Sequence, residues 1–260
     1  MKIGILGTGN IAQYLLETIN ADGQLDGEIS AIFGRNREVG SRLESQYQAV
    51  FYTNIQDFLD SSVDIIVEAA TIEVAIQQME TVLKNGKDLI LSSIGAFKNV
   101  DFFNEMKELA RSTGQHIYLP SGAVGGLDLL QSANSVGGLK EVSITTRKSY
   151  ASLGMDMKHV EECVFDGIAL DAIERFPKNV NVALLISLAG LGADRTRVKV
   201  IADPKITRNT HMIEAAGEFG KMNLTIENEP MPNNPKTSYL AALSILSILR
   251  NKGNAITIGS

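Results

Sequence analysis

The first half of the chain alternates short apolar runs with stretches of helical periodicity. The apolar runs are of the kind shown by buried parallel strands, and they lie at residues 2–6, 27–34, 63–70, 87–93 and 115–121. Helical patterns separate them, at residues 10–19, 36–46, 72–84 and 101–113. Strands and helices that alternate at this spacing are typical of βαβ units. The pattern therefore predicts an α/β fold in which residues 1–121 form a Rossmann-type, doubly wound parallel sheet.

After Gly122 the hydrophobic pattern changes to strict alternation. Apolar and polar residues alternate along 141–147, 195–202 and 221–228, which predicts a sheet covered on one face only. A helix over 179–190 is apolar nearly all round, and we expect it to be buried. Residues 122–236 are thus predicted to form a second α/β domain with an open-faced mixed sheet, for substrate binding, catalysis and dimerisation. The final helical segment, within 237–260, is expected to pack back on the first domain.

Composition excludes several classes of protein. The net charge of −6 and the pI of about 5.2 argue against nucleic acid as a partner. With a single cysteine, Cys163, the chain has no intramolecular disulfide, and it lacks the Cys and His clusters that hold metals. We expect that cysteine to be buried and inert. No apolar run approaches the roughly 20 residues of a membrane span, and no signal peptide is evident, so we expect a cytoplasmic protein without membrane contact.

A dinucleotide-binding fingerprint follows the first predicted strand. It reads Gly7-x-Gly9-x-x-Ala12 and opens the first predicted helix. In such a motif the first glycine permits a tight turn, the second lets the backbone approach a pyrophosphate, and the small third residue allows close packing. The backbone N–H groups at Asn10 and Ile11 would then face the phosphates. A tight structural turn without a ligand is the alternative.

The end of the second predicted strand bears on the choice between NAD and NADP. An NAD site usually places a carboxylate there for the ribose 2′-hydroxyl, whereas this chain reads Phe33-Gly34-Arg35-Asn36-Arg37. Two arginines and an amide suit a 2′-phosphate. We therefore expect NADP to be preferred and NAD to be accepted as well. A solvated loop with two surface arginines is the alternative.

The loop after the predicted strand at 87–93 is a further candidate for cofactor binding. In open parallel sheets, ligands bind at the carboxyl ends of the strands. Ser93 and Gly95 follow that strand directly and are expected to lie along the cofactor.

The second half of the chain carries specific sequence strings in a fixed order. They are Tyr118–Asp128, Thr145–Lys148, Phe176–Val182, Asn209–His211 and Asn234–Ser238. Together with the glycine motif they resemble the L-aspartate dehydrogenase family, from Ile3 to about Arg250. The resemblance implies a homodimer that oxidises L-aspartate with NAD or NADP. It also implies that the product, iminoaspartate, hydrolyses to oxaloacetate and ammonia or feeds quinolinate synthesis for NAD.

Three site residues carry over from the family by position. The family's catalytic histidine matches His211, and its nucleotide contacts match Ala123 and Asn181. The departure from the family pattern is the Phe33–Arg37 segment, where some members carry an aspartate. That difference concerns the choice of cofactor and leaves the reaction unaffected.

Among the three histidines, His211 is the candidate for general acid–base catalysis. An imidazole ordinarily titrates near pH ~6.5 and can exchange protons under working conditions. His116 falls in a predicted strand and is expected to be structural. His159 falls in a polar stretch and is expected to be exposed.

The two carboxylates of aspartate require cations in the site. The candidates within or beside the family strings are Arg147, Lys148, Lys178 and Lys236. We prefer Lys236, which is followed by Thr237, and we also assign Thr237 and Asn209 to substrate binding. A solvated surface charge is the alternative for each cation.

Two other functions share the predicted architecture. One is a different two-domain NADP oxidoreductase, such as a relative of homoserine dehydrogenase or dihydrodipicolinate reductase, because a fold alone does not fix a reaction. The other is a nucleotide-binding regulator without catalysis. His211 argues against the regulator, since a protein without catalysis needs no titrating group at that position.

Overall fold

The computed structural model describes residues 1–176, 181–232 and 234–256, without the side chains at positions 235 and 236. The chain divides into two compact units. Among the described residues, the first comprises Met1–Pro120 together with 242–256, and the second comprises Ser121–Ala241. Within the described ranges, no helix has the length and apolar character needed to cross a bilayer.

The first unit is built on a parallel six-stranded sheet with the order β3-β2-β1-β4-β5-β6. Its strands are β1 (Lys2–Leu6), β2 (Glu28–Phe33), β3 (Val50–Tyr52), β4 (Ile65–Glu68), β5 (Asp88–Leu91) and β6 (Ile117–Tyr118). The direction of strand addition reverses between β1 and β4, where ligands of doubly wound sheets bind. The predicted Rossmann-type sheet is confirmed.

Helices separate the strands of the first unit. They are α1 (Asn10–Leu16), continued by a π-helical turn (Glu17–Ala21), α2 (Arg37–Tyr47), α3 (Ile55–Leu59), α4 (Ile72–Lys84), a 3₁₀-helix (Ile94–Lys98) and α5 (Val100–Thr113). The side chains of Asn36, Asn54, Thr71 and Asn99 cap the N-termini of α2, α3, α4 and α5. The short elements β3, α3 and the 3₁₀-helix were not predicted, because each spans too few residues for a periodic pattern.

The last helix, α10 (Tyr239–Lys252), contributes to the core of the first unit. Ile245 and Leu249 are buried in the same apolar cluster as Ile3 and Ile65. Near the end of this helix, the Lys252 ammonium donates to the Asp88 carboxylate at 2.6 Å.

The second unit contains a mixed five-stranded sheet with the order β11-β10-β7-β9-β8. Its strands are β7 (Leu139–Lys148), β8 (Glu162–Ile168), β9 (Thr196–Ala202), β10 (Asn209–Gly217) and β11 (Gly220–Asn228). Only β7 and β9 pair in parallel. The remaining elements are α6 (Leu127–Asn134), α7 (Tyr150–Leu153), α8 (Ala169–Arg175), α9 (Asn181–Ala189) and a small hairpin of β12 (Pro230–Met231) and β13 (Asn234–Ser238).

The two faces of this mixed sheet differ in burial. Val142, Ile144 and Ile213 lie on the buried face, and the apolar helix α9 is buried as predicted. Glu214 and Arg197, on the opposite face, are exposed. The predicted second domain with an open-faced mixed sheet is thereby confirmed.

One local prediction in this unit was wrong, and one strand was missed. Cys163 is exposed rather than buried, because it lies on β8, an edge strand of the sheet. No strand was predicted over residues 209–217, where β10 lies and includes His211.

Candidate active site

A groove with about 850 Å³ of empty space lies in the first unit, at the carboxyl ends of its central strands. Its walls are the glycine turn Gly7–Gly9, the segment Phe33–Arg35, the loop Ala69–Thr71 and side chains of α4. The groove thus lies beside the reversal point of the sheet, the position at which dinucleotides bind in this architecture.

The two glycines of the turn are required for different reasons. Gly7 has φ +123°, and a Cβ there would lie 2.4 Å from the Ala69 carbonyl oxygen, so the fold itself demands glycine. Gly9 has an ordinary φ of −77°, and a Cβ there would meet only the Ala69 oxygen, at 4.0 Å. The protein itself has room for a Cβ at Gly9. The absence of a side chain there instead keeps the space in front of the turn open.

The N-terminus of α1 opens onto this turn. Gly9 is its N-cap residue and supplies no side-chain acceptor, while Asn10 is exposed and Ile11 half-buried. The Gln13 amide donates to the Thr8 carbonyl at 2.9 Å and holds the turn in place. The first N–H groups of a helix have no partner within it and attract anions, so this end of α1 can receive a pyrophosphate.

The residues after β2 have separate roles. A Cβ on Gly34 would lie 2.8 Å from the Thr8 side chain, which leaves no room for a carboxylate there. Arg35 is exposed and lines the groove. Asn36 instead caps α2 by accepting from the Val39 N–H, and Arg37 donates to the Thr53 hydroxyl at 3.4 Å. Arg35 is therefore the better placed of the two arginines for a 2′-phosphate.

The loop after β5 is held by a buried carboxylate that the sequence reasoning missed. Glu68, the last residue of β4, is fully buried. It accepts from the Ser93 N–H at 2.8 Å and from the Ser93 hydroxyl at 2.9 Å. Burial raises the pKa of Glu68, against the opposing effect of these hydrogen bonds. Ser93 thus points to Glu68, and Gly95 is buried in the following 3₁₀-helix.

In the second unit, strand register brings polar side chains together on the buried face of the mixed sheet. His211 lies opposite Thr146, and Asn209 lies opposite Asn228. Side chains alternate between the two faces of a strand, so Lys148 shares the face of Thr146, and Asn209 shares that of His211. The buried face of the sheet is otherwise apolar, but around His211 and Lys148 it carries a cluster of groups able to bind a polar substrate.

His211 is nearly completely buried, with 2% of its surface exposed. Its Nδ1 lies 3.0 Å from the Thr146 hydroxyl oxygen. Burial, and secondarily the positive charge of Lys148, lowers the pKa of His211 to about 3. The expectation of titration near neutral pH was therefore wrong for the free protein, in which the imidazole is neutral.

Lys148 ends β7 beside this imidazole and is half-buried. Burial lowers the pKa of its ammonium. A cation held away from bulk water is attracted strongly to an anionic ligand. Of the two candidate cations whose side chains the structure describes, Arg147 and Lys148, the lysine is consequently the better placed for a substrate carboxylate.

Asn228 connects this face to a segment that precedes α6. It is 3% exposed, and its Nδ2 donates to the Ala123 carbonyl at 3.0 Å. Within the described residues its Oδ1 has no hydrogen-bond partner. No motif marked Asn228 in the sequence, because its importance comes from the register of β10 and β11.

The other predicted residues fall elsewhere in the molecule. Asn181 is exposed at the start of α9, and the Thr237 hydroxyl accepts from the Asn234 amide at 2.9 Å. Lys178 and the side chain of Lys236 lie outside the described residues, so the preferred carboxylate contact is not placed. His116 and His159 are both exposed. Throughout the described ranges, no three His, Cys, Asp or Glu side chains gather as metal ligands would.

Comparison with known families gives a consistent result for both parts of the chain. Residues 7–120 match the family model described as homoserine dehydrogenase, NAD binding domain. Residues 128–252 match the model described as aspartate dehydrogenase, C-terminal.

Individual relatives match over the full length of the chain. An L-aspartate dehydrogenase of Methanospirillum hungatei is 38% identical over 263 residues, with all of both chains covered. One from Archaeoglobus fulgidus is 38% identical over 258 residues, covering 99% of this chain and all of the relative. The crystal structure of aspartate dehydrogenase from Thermotoga maritima superposes with a TM-score of 0.82 at 31% identity, covering 100% and 99% of the two chains.

Proposed function

The chain belongs to the L-aspartate dehydrogenase family, and from this premise we propose that it oxidises L-aspartate to iminoaspartate with a nicotinamide dinucleotide. Iminoaspartate then hydrolyses to oxaloacetate and ammonia. The observation that carries the proposal is the neutral, buried imidazole of His211 with Thr146 and Lys148 beside it. A catalytic histidine, a cation for a carboxylate and a dinucleotide groove are the groups that this reaction needs.

The groove of the first unit fits the dinucleotide. The glycine at position 9 is not required by the protein's own packing, and the free end of α1 suits a pyrophosphate. We assign Gly7, Gly9, Asn10, Ile11 and Arg35 to this cofactor. The family resemblance adds Ala123 and Asn181. The chemistry that the dinucleotide supplies when bound is acceptance of the hydride from the substrate Cα.

His211 serves as the proton acceptor for the substrate nitrogen in this scheme. When Nδ1 carries the proton and donates to Thr146, the other ring nitrogen presents a lone pair. The low pKa keeps that lone pair available in the free protein. Thr146 is then the acceptor that holds the ring in this orientation.

Binding of aspartate strengthens this base. An anion placed near an imidazole favours its protonated form and raises its pKa. A substrate carboxylate at Lys148 offsets the positive charge that contributes to the low pKa of His211. The histidine is therefore neutral while the site is empty of substrate and becomes a better proton acceptor when aspartate is present.

The proposed activity is tested by measuring the formation of the reduced cofactor through its absorbance. The purified chain is incubated with NAD or NADP and with L-aspartate, L-glutamate, L-homoserine or L-alanine. We expect reduction with aspartate at a rate well above that with the other substrates. Oxidation of homoserine in preference to aspartate would favour the alternative oxidoreductase, and binding of cofactor with no oxidation of any substrate would favour the regulator.

We propose a preference for NADP on the basis of Arg35 alone, rather than of both Arg35 and Arg37. Loss of a hydrogen bond to a charged phosphate typically costs about 1.5–3 kcal/mol, so Arg35→Ala should raise KM for NADP by at least about tenfold. KM for NAD should change little. Arg37→Ala is the matched control, because Arg37 donates to Thr53. Equal effects of Arg35→Ala on the two cofactors would contradict the preference.

We also propose that the chain forms a homodimer, as the family resemblance implies, and that it acts in the cytoplasm. The uncovered face of the mixed sheet, with exposed Met212 beside Glu214 and Arg197, is the candidate surface. Light scattering coupled to size exclusion should give twice the chain mass, and Met212→Glu should shift that mass toward the monomer. A monomer at micromolar concentration would contradict the proposal.

A further inference from the structure

We propose that Glu68 is a positioning residue for the dinucleotide: its carboxylate fixes the loops after β4 and β5 in the conformation that receives the cofactor. The inference rests on the proposed cofactor groove of the first unit. It adds a residue that does not itself line that groove.

The carboxylate joins two loops that are separate in sequence. One oxygen, Oε1, accepts from the Ala70 N–H and from the Ser93 hydroxyl, both at 2.9 Å. The other, Oε2, accepts from the Ser93 N–H at 2.8 Å. The backbone carbonyl of Glu68 also accepts from the Ser92 N–H at 3.2 Å. The side chain of Glu68 thus links the two loops at the points where they leave their strands.

One of these loops forms a wall of the groove. Ala69, Ala70 and Thr71 line it, and the Ala69 carbonyl is the atom that packs against Gly7. The Ala69 N–H in turn donates to the Leu6 carbonyl at 2.8 Å. A shift of this loop would therefore move the glycine turn as well as the groove wall.

The energetic balance at Glu68 argues for a functional role. Its donors favour the ionised form, yet burial is the larger effect and raises its pKa. Ionisation of this buried carboxylate therefore lowers the stability of the folded chain at neutral pH. Perturbed pKa values of this kind cluster at functional sites.

Glutamine is the informative replacement. It has the shape of glutamate, and its one oxygen can still accept from two donors, but its NH₂ group would face an N–H of Ser93 or Ala70. At least one loop then loses its anchor. We expect Glu68→Gln to raise the Kd for NADPH, measured by fluorescence, by at least about tenfold, the size typical of losing a hydrogen bond to a charged group. Its Tm should also fall, because an N–H group and the glutamine NH₂ group are left without acceptors in the interior.

Asp88→Asn is the matched control. Asp88 is a partly buried carboxylate at the amino end of β5, opposite the end that carries Ser93, and it pairs with Lys252. Its replacement should lower Tm and leave the Kd for NADPH within about twofold of the wild type.

Several outcomes would overturn the proposal. One is an unchanged Kd for Glu68→Gln, and another is an equal rise in Kd for Asp88→Asn at a comparable fall in Tm. Amide hydrogen exchange of the wild type gives a test without a variant: the N–H groups of Ala70 and Ser93 should be strongly protected before NADPH is added. Protection that arises only after addition would refute positioning by Glu68. A wild type that binds no dinucleotide at all would instead refute the proposed function.

Discussion

In the first unit, backbone groups at the ends of strands are available to a ligand. In the second unit, side chains on the face of a sheet are available instead. In the first, both faces of a parallel sheet are packed, so ligands are left with the loops after β1, β2 and β4. In the second, the cluster around His211 projects from neighbouring strands in register. A sheet covered on both faces thus builds a site from main-chain geometry, and a sheet covered on one face can build it from side-chain chemistry.

The same contrast applies to the buried titratable group of each unit. Glu68 is surrounded by donors supplied by the ends of loops. His211 has one hydroxyl neighbour and a nearby cation. Burial raises the pKa of the first and lowers the pKa of the second, so in both cases it favours the neutral form. The donors at Glu68 oppose this effect, while Lys148 reinforces it at His211.

The largest expected effect belongs to the side-chain site. His211→Asn keeps a hydrogen-bonding group and removes the proton acceptor, so kcat for aspartate oxidation should fall by about 10²–10⁴-fold. Dinucleotide affinity, measured by fluorescence, should stay near the wild-type value, because the groove lies in the first unit. His159→Asn, at an exposed histidine, is the control and should have normal turnover. Near-normal turnover of His211→Asn would mean that the second unit does not supply the proton acceptor through this side chain. The distinction between a main-chain site and a side-chain site would then be lost.

Lys148 should show the next largest effect. Lys148→Met keeps the length of the side chain and removes the charge, so KM for aspartate should rise by roughly 10–100-fold. Cofactor affinity should be unchanged. Lys140→Met, at an exposed lysine on the same strand, is the matched control. If both variants have wild-type kinetics, the substrate carboxylate is bound by another cation.

The two glycines of the first unit should respond differently. Gly7→Ala places a Cβ against a carbonyl in a left-handed conformation, which costs at least about 1–2 kcal/mol, and Tm should fall. Gly9→Ala should leave Tm unchanged and weaken NADPH binding, since the protein has room for its Cβ. Thermal unfolding and fluorescence titration measure the two effects. Equal losses of Tm would indicate that both glycines serve the turn alone.

The pH dependence of stability should show the smallest effect. The pKa of His211 is about 3 in the folded chain, against 6.5 as the ordinary value. Below pH 6.5 the unfolded chain takes up a proton that the folded chain does not, so stability falls as pH falls, by up to about 1.4 kcal/mol per pH unit. The difference in unfolding free energy between wild type and His211→Asn, measured by urea denaturation at pH 7 and pH 5, isolates this contribution. An identical pH dependence would mean that His211 is solvated.

The contrast between the units also explains what the sequence could predict. The Rossmann sheet and the glycine turn were predictable, because buried parallel strands and Gly7-x-Gly9 can be recognised from short stretches of sequence. The cluster around His211 cannot be recognised in this way. Thr146 and Asn228 join it through the pairing of β7, β10 and β11, and β10 itself was not predicted. His211 was found through family resemblance rather than through periodicity.

Other misses have similarly local causes. Asn36, predicted to contact the cofactor, also caps α2, a role that the sequence pattern did not indicate. Glu68 lies within an apolar run that correctly predicted a strand, and its contacts involve a loop that begins more than twenty residues later. Residue type and spacing do not encode contacts of that range.

The position of α10 has a consequence for how the protein is made. Ile245 and Leu249 fill the core of the unit that begins at Met1. A ribosome releases the amino-terminal part of a chain first, and many domains fold as they emerge. Here the apolar faces of β1 and β4 remain incompletely covered until α10 has been synthesised. A nascent chain that stalls before residue 245 would expose this surface and become a substrate for chaperones and proteases.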